Sequence, residues 1–173
     1  MEILIEFGKI LLPAGAVLYA MYLVVKSFLD KEFEKQALVV RGKSIETVLP
    51  NRLHAYVRIC LFLERISPNN LVVRLNNGDY TAREFQHIML KEVREEYNHN
   101  VSQQVYMSDE VWGLVKTAKE ELIVSINESA IGLDEKATGI DLSKRLFDIA
   151  MAREFDPIQK ALAAVKAEIR TTF

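Results

Sequence analysis

Cysteine is nearly absent from this chain: Cys60 stands alone among 173 residues. One thiol makes no intrachain disulfide and no cysteine metal cluster, which suits a reducing compartment. Its neighbours Ile59, Leu61 and Phe62 are apolar, so a buried structural thiol is expected rather than an activated nucleophile. Glycine is also sparse, at seven residues. None falls in a G-x-x-x-x-G-K-[ST], G-x-G-x-x-G or G-x-S-x-G arrangement, which removes the phosphate-cradling loops and the nucleophile elbow. Neither sign of charge dominates, since 22 Lys and Arg face 24 Asp and Glu. Without a basic excess there is no electrostatic footprint for nucleic acid, and that partner class is disfavoured. Only four prolines occur, with no repeat and no low-complexity tract, so the bulk of the chain reads as a compact domain rather than a linker.

Long hydrophobic runs are few, and one stands out. Between Lys9 and Lys26 the stretch ILLPAGAVLYAMYLVV carries no charge. With Ile3, Leu4, Ile5 and Phe7 ahead of it and the two lysines snorkelling, it reaches the roughly 20 residues that cross a hydrocarbon core as a helix. Ile10, Leu11, Leu12, Val17, Leu18, Leu23, Val24 and Val25 would meet lipid. A cleaved signal peptide fits poorly, because Glu2 and Glu6 precede Lys9 and no A-x-A-like site follows Val25. A soluble core helix should show a polar stripe, and none is visible here. Five basic residues lie between Lys26 and Lys43, against Lys9 alone before the run. That asymmetry predicts a short N-terminus outside and the C-terminal part in the cytoplasm. Ala16 and Ala20 have small-xxx-small spacing, which permits a close contact with another helix.

The remainder keeps returning apolar residues at helical spacing. Leu29, Phe33, Ala37 and Val40 predict that the first helix continues as a stalk and stops near Gly42. Ser44 and Pro50 then lead into a helix whose face is expected to be Leu53, Tyr56, Val57, Cys60 and Leu61, ending at Ser67 and Pro68. Residues 71–75 fit either a short helix begun by that Ser-Pro pair or a strand without a visible partner. Thr81 with Glu84 forms a capping box, so a helix with Phe85, Ile88, Met89, Val93 and Tyr97 inside should begin there. Ser108 opens another, carrying Val111, Leu114, Val115, Ala118, Leu122, Ser125 and Ile126 and ending at Gly132. Asp141 is the expected cap of a helix with Leu142, Leu146, Ile149 and Ala150, and Pro157 separates it from a last helix with Ile158, Ala161, Leu162, Val165 and Ile169. The expected fold is all-α: a membrane anchor over 1–28, a juxtamembrane stalk and connector over 29–49, and a cytoplasmic antiparallel helical bundle over 50–173.

Chemistry is harder to find. Glu84 and His87, then Glu96 and His99, repeat an E-x-x-H spacing that puts carboxylate and imidazole on one side of a helix, as di-iron carboxylate bundles require. Such sites take their two pairs from different helices. Here both share one, about 18 Å apart for twelve residues of rise. His54, His87 and His99 have no zinc-ligand spacing. No cofactor and no small-molecule substrate is expected.

The runs RLHAYVRICLFLERISPNNLVVR from Arg52, EYNHNVSQQVYMSDEVWGLVKTAKEE from Glu96 and GIDLSKRLF from Gly139 resemble a family of small, uncharacterised, membrane-anchored proteins of the Bacteroidota. The resemblance covers most of the chain. It implies a helical protein of a bacterial inner membrane and carries no activity. The function expected is a non-catalytic adaptor or accessory subunit, with the lipid bilayer and either an unidentified membrane protein or a homo-oligomer as partners. Phe62, Val73 and Trp112 are its candidate contact positions. The alternative is a metal-dependent bundle enzyme using the two E-x-x-H pairs.

Overall fold

The computed structural model describes the backbone of residues 2–172 and the side chains of residues 15–36, 38–39 and 48–171. The chain is all-helical: α1 (Glu2–Ile66), α2 (Pro68–Leu75), α3 (Ala82–Asn100), a 3₁₀ segment (Val101–Tyr106), α4 (Asp109–Ala130), α5 (Gly139–Ala152) and α6 (Pro157–Thr172). It divides into two units, Met1–Pro50 and Asn51–Phe173.

The first unit is helical from Glu2 onward. Contrary to expectation, α1 does not stop near Gly42 but passes Gly42, Ser44 and Pro50. Isolated helix breakers lower helix stability without ending it: an interior Gly costs about 1 kcal/mol and an interior Pro about 3. A true stop also needs a left-handed residue and partners for the last carbonyls, and no turn cluster follows Gly42. Of the expected span, Ile10, Leu11 and Leu12 lie outside the described side chains. Val17, Leu18, Leu23, Val24 and Val25 are exposed, as are Ala16 and Ala20. Among the described residues no helix is long and apolar enough to cross a membrane.

The second unit holds the core. Tyr56, Ile59, Phe62, Leu63 and Ile66 of α1 meet Leu71 and Val72, Phe85, Met89 and Val93, the α4 stripe, Leu142 and Leu146, and Ile158, Ala161, Leu162 and Val165. On α1 the expected face is only partly the one that packs. Tyr56 is buried and Cys60 half-buried, whereas Leu53, Val57 and Leu61 are 43 %, 48 % and 56 % exposed. Both faces of this stretch are apolar, so periodicity finds a helix but cannot choose which side packs. Residues 71–75 are helical, with Pro68 in the first turn; Pro fits there because its missing N–H would have no intrahelical partner.

Local signals place the other helices. Thr81 accepts from the Glu84 amide, and Glu84 returns the bond by accepting from Thr81 N–H at 3.0 Å. Ser108 caps α4 by accepting from Val111 N–H. Gly132, with φ of +72°, follows the end of α4, a conformation that an L side chain adopts only at a cost. The cap of α5 is Thr138 rather than the expected Asp141, which sits three residues on as the reciprocal acceptor. Thr138-x-x-Asp141 is thus a second capping box, built as Thr81-x-x-Glu84 is.

These two caps lie side by side. Thr81 and Thr138 form an isolated antiparallel bridge, in which Ala82 N–H donates to Ala137 O and Gly139 N–H donates to Tyr80 O, each at 2.8 Å. The bridge satisfies helix-entry groups that the caps leave free. Gly139 is buried against Phe85, and a Cβ there would stand 3.3 Å from the phenyl ring. Helix α4 packs on α3, α5 and α6, and α3 also packs on α5.

Candidate functional site

The most concentrated polar chemistry of the second unit centres on Glu168. Helix α6 carries this carboxylate to the N-terminus of α4, where it accepts from Ser108 N–H at 3.0 Å and from Ser108 Oγ. Tyr56 of α1 donates its hydroxyl to Glu168 Oε1 at 2.5 Å, with the Tyr106 carbonyl 3.2 Å away as a second acceptor. Arg52 donates to the Tyr56 hydroxyl at 3.2 Å. Burial pushes the Glu168 carboxyl up, but the hydrogen bonds from Ser108 and Tyr56, with Arg52 nearby, outweigh it and hold the group below its usual range. Burial raises the Tyr56 phenol, and its bond to Glu168 raises it further. The carboxylate thus stays charged and the phenol protonated, a stable donor–acceptor pair that ties three elements together. An anion at a helix N-terminus also gains from the helix dipole.

Two further polar clips hold α3. Arg58 donates to Asn100 Oδ1 and to His99 O, each at 3.3 Å, while Asn100 donates to Glu96 O at 2.8 Å. Arg65 pairs with Glu96 at 2.5 Å and Arg74 pairs with Glu92.

The E-x-x-H pairs both fall on α3, on one helix as their spacing implied. Glu84 is occupied by Thr81, which lowers its carboxyl, and Glu96 by Arg65. His87 Nδ1 lies 3.2 Å from Arg83 O, and His99 is exposed. Among the described residues no group of three His, Cys, Asp or Glu side chains could hold a metal ion. A calcium loop fits no better. Setting Gly78 at the glycine position of a 12-residue loop puts Glu84 at its last ligand position. Val73 and Leu75, which offer no oxygen side chain, then fall at the first and third ligand positions.

Of the expected contact positions, only Val73 is at the surface, at 74 % exposure. Phe62 and Trp112 are core residues, 1 % and 8 % exposed. Tyr97 explains both: its ring lies 6.1 Å from Phe62 and stacks at 5.8 Å on Trp112, with Lys119 Nζ 4.4 Å from its centroid. Cys60 is free and half-buried, and burial raises its thiol, which disfavours the nucleophilic thiolate.

A small cavity of about 50 Å³ is lined mainly by Leu122, Leu146, Ala150 and Ile158, with Arg153 and Asp156 at its polar side. Both charges are engaged: Arg153 pairs with Glu121 at 3.1 Å, and Asp156 accepts from Ile158 N–H at 2.8 Å. The cavity therefore presents no unpartnered group that would orient a substrate.

The network around Glu168 escaped sequence reading. Its partners stand 112 and 60 residues away, and the only local hint was Ser108 as a cap. The geometry is that of a joint tying α1, α4 and α6 together. No curated protein and no solved structure matches the chain. A family model described as "Family of unknown function (DUF7935)" matches residues 2–172, and the chain belongs to that family.

Proposed function

We propose that the protein is a non-catalytic adaptor or accessory subunit, held by the start of α1 in a bacterial inner membrane and offering its helical second unit to a membrane complex or to another copy of itself. The observation that carries this reading is the state of Gly15 to Val25. Val17, Leu18, Tyr19, Met21, Tyr22, Leu23, Val24 and Val25 are 46–68 % exposed. They leave no face of the helix polar. Burying such a side chain contributes about 1.5–3 kcal/mol, so eight of them half exposed to water represent a large unfavourable term that lipid would remove. The described part of the run is shorter than a span; Ile10 to Ala14, equally uncharged in sequence, extend it, and the apolar residues from Ile3 with Lys9 and Lys26 snorkelling bring it to roughly 20 residues. The cations after Lys26 favour retention of the following chain in the cytoplasm. Tethering raises the local concentration of the second unit near membrane partners. The adaptor role draws on the polar groups of that unit, which are spent on holding helices together at Glu168, Asn100 and the two capping boxes.

Flotation of the full-length protein with vesicles of phosphatidylethanolamine and phosphatidylglycerol tests the anchor. The protein is expected to float and to resist extraction by high salt and alkaline carbonate. Recovery in the aqueous fraction would remove the basis of the reading. Protease added outside spheroplasts is expected to leave the second unit intact, and its digestion would reverse the orientation.

A further inference from the structure

We infer that Asn77 is a site of spontaneous covalent modification, its side chain closing on the Gly78 nitrogen and the ring then opening with water to aspartate and isoaspartate. The inference does not depend on where α1 lies. Asn77 and Gly78 sit exposed in the connection between α2 and α3, outside any helix. Of the asparagines in the chain, Asn77 alone precedes a glycine.

The local geometry favours ring closure. Gly78 has no Cβ, so its nitrogen approaches the Asn77 carboxamide carbon without a side chain in the way. Beyond its chain neighbours, no atom comes within 4 Å of where a Cβ would stand, and the turn is free to rotate. Asn77 Oδ1 accepts from Asp79 N–H at 3.2 Å. That donor polarises the carboxamide carbon toward attack and receives the negative charge that gathers on the same oxygen as the tetrahedral adduct forms. Gly78 N–H itself donates to Asn76 Oδ1 at 2.9 Å. This bond is exposed, so water competes for it and a small local opening releases the nitrogen.

The step balances with water as the only co-reactant. Gly78 N bonds to Asn77 Cγ and gives up its proton, while the Cγ–Nδ2 bond breaks and Nδ2 leaves with that proton as ammonia. Water then adds to either carbonyl of the cyclic imide. Opening at Cγ leaves aspartate at position 77; opening at the main-chain carbonyl leaves isoaspartate, with the backbone routed through the former side chain. Either product adds a negative charge close to Asp79, and isoaspartate lengthens the main chain by a methylene. The lengthened turn delivers Tyr80, whose carbonyl accepts from Gly139 N–H at 2.8 Å, and Thr81, the bridge partner of Thr138. The reaction is thus a slow timer placed just ahead of the paired helix caps.

The other asparagines supply an internal comparison. Asn51, Asn69, Asn70, Asn98, Asn100 and Asn127 are helical, where closure first requires local unfolding. Purified full-length protein in mild detergent is incubated for days at neutral pH, below its melting temperature, and then digested. Mass spectrometry counts the amide-to-acid conversion at each asparagine, and electron-transfer fragmentation separates aspartate from isoaspartate. Asn77 is expected to convert at least about tenfold faster than any helical asparagine, with isoaspartate among its products. Asp79→Pro removes the N–H that Asp79→Ala keeps, and both remove the carboxylate. The proline variant is expected to convert about threefold more slowly than the alanine variant, the worth of one exposed hydrogen bond. Conversion at Asn77 no faster than at the helical asparagines overturns the site. Equal rates in the two Asp79 variants overturn the part given to the Asp79 N–H. Should circular dichroism show the proline variant unfolded, the comparison within the wild-type chain decides the inference.

Discussion

Replacing Glu168 by Gln isolates the charge of the joint while keeping its shape. The carboxylate accepts three hydrogen bonds, from Tyr56 Oη, Ser108 N–H and Ser108 Oγ. The amide keeps one acceptor oxygen and turns a donor toward Ser108 Oγ, which already accepts from Val111 N–H. Hydrogen bonds to a charged group contribute about 1.5–3 kcal/mol each, and neutral ones about half of that. With two weakened and one reversed, Glu168→Gln should cost about 2 kcal/mol of stability at pH 7. That corresponds to about 4–8 °C in melting temperature for a chain of this length. The pH dependence carries the sharper test. The folded carboxyl titrates below its usual range, so its stabilising effect is complete above the ordinary carboxylate pKa of about 4.3 and is lost as pH falls through the lower folded value. Wild type and Glu168→Gln should therefore differ most at neutral pH and converge on acidification. Urea unfolding followed by circular dichroism at pH 7, 5, 4 and 3 measures both. A difference under about 0.3 kcal/mol at pH 7, or one that persists unchanged at pH 3, would refute the assignment of Glu168 as a charged joint.

The remaining expectations concern caps, core and metal. Thr81→Val and Thr138→Val each remove a capping hydroxyl and should cost about 1 kcal/mol; because the two caps share a bridge, the double variant should depart from additivity by about 0.5 kcal/mol or more in the same urea assay. Phe62→Ala should lose about 3–5 kcal/mol while Val73→Ala stays within about 0.5, since the first empties the core and the second touches none of it; comparable losses would contradict their placement. Gly132→Ala should cost about 1–2 kcal/mol for forcing a side chain into the left-handed region. Adding iron(II) or manganese(II) should leave the melting temperature unchanged, and His87→Ala should be neutral; a metal-dependent rise that His87→Ala abolishes would revive the E-x-x-H pairs as ligands.

How much was legible in advance depended on the range of the interaction. Thr81 with Glu84 and Ser108 with Val111 are three-residue hydrogen bonds, and such signals read the starts of α3 and α4 directly. Thr138 was missed in favour of Asp141 because both are good caps three residues apart, and the bridge to Thr81 favours the earlier start. The inner stripes of α4 and α6 were visible because their opposite faces are polar. On α1 that contrast is missing, so Leu53, Val57 and Leu61 were placed inside, while Ile59, Leu63 and Ile66 fill the core. Phe62 and Trp112 fall outside the simple helical stripes of the sequence, and it is the ring of Tyr97, packed on both, that draws them into the core.

Sequence alone determined that this protein is helical, where α3 and α4 begin, and that residues 10–25 form an uncharged run, because each depends on the local spacing of caps and apolar side chains. Only the tertiary structure decided which side of α1 packs and that Glu168 gathers Tyr56 and Ser108 from distant parts of the chain. These outcomes turn on competition between surfaces brought together by folding, and a one-dimensional pattern contains the competitors but not the result.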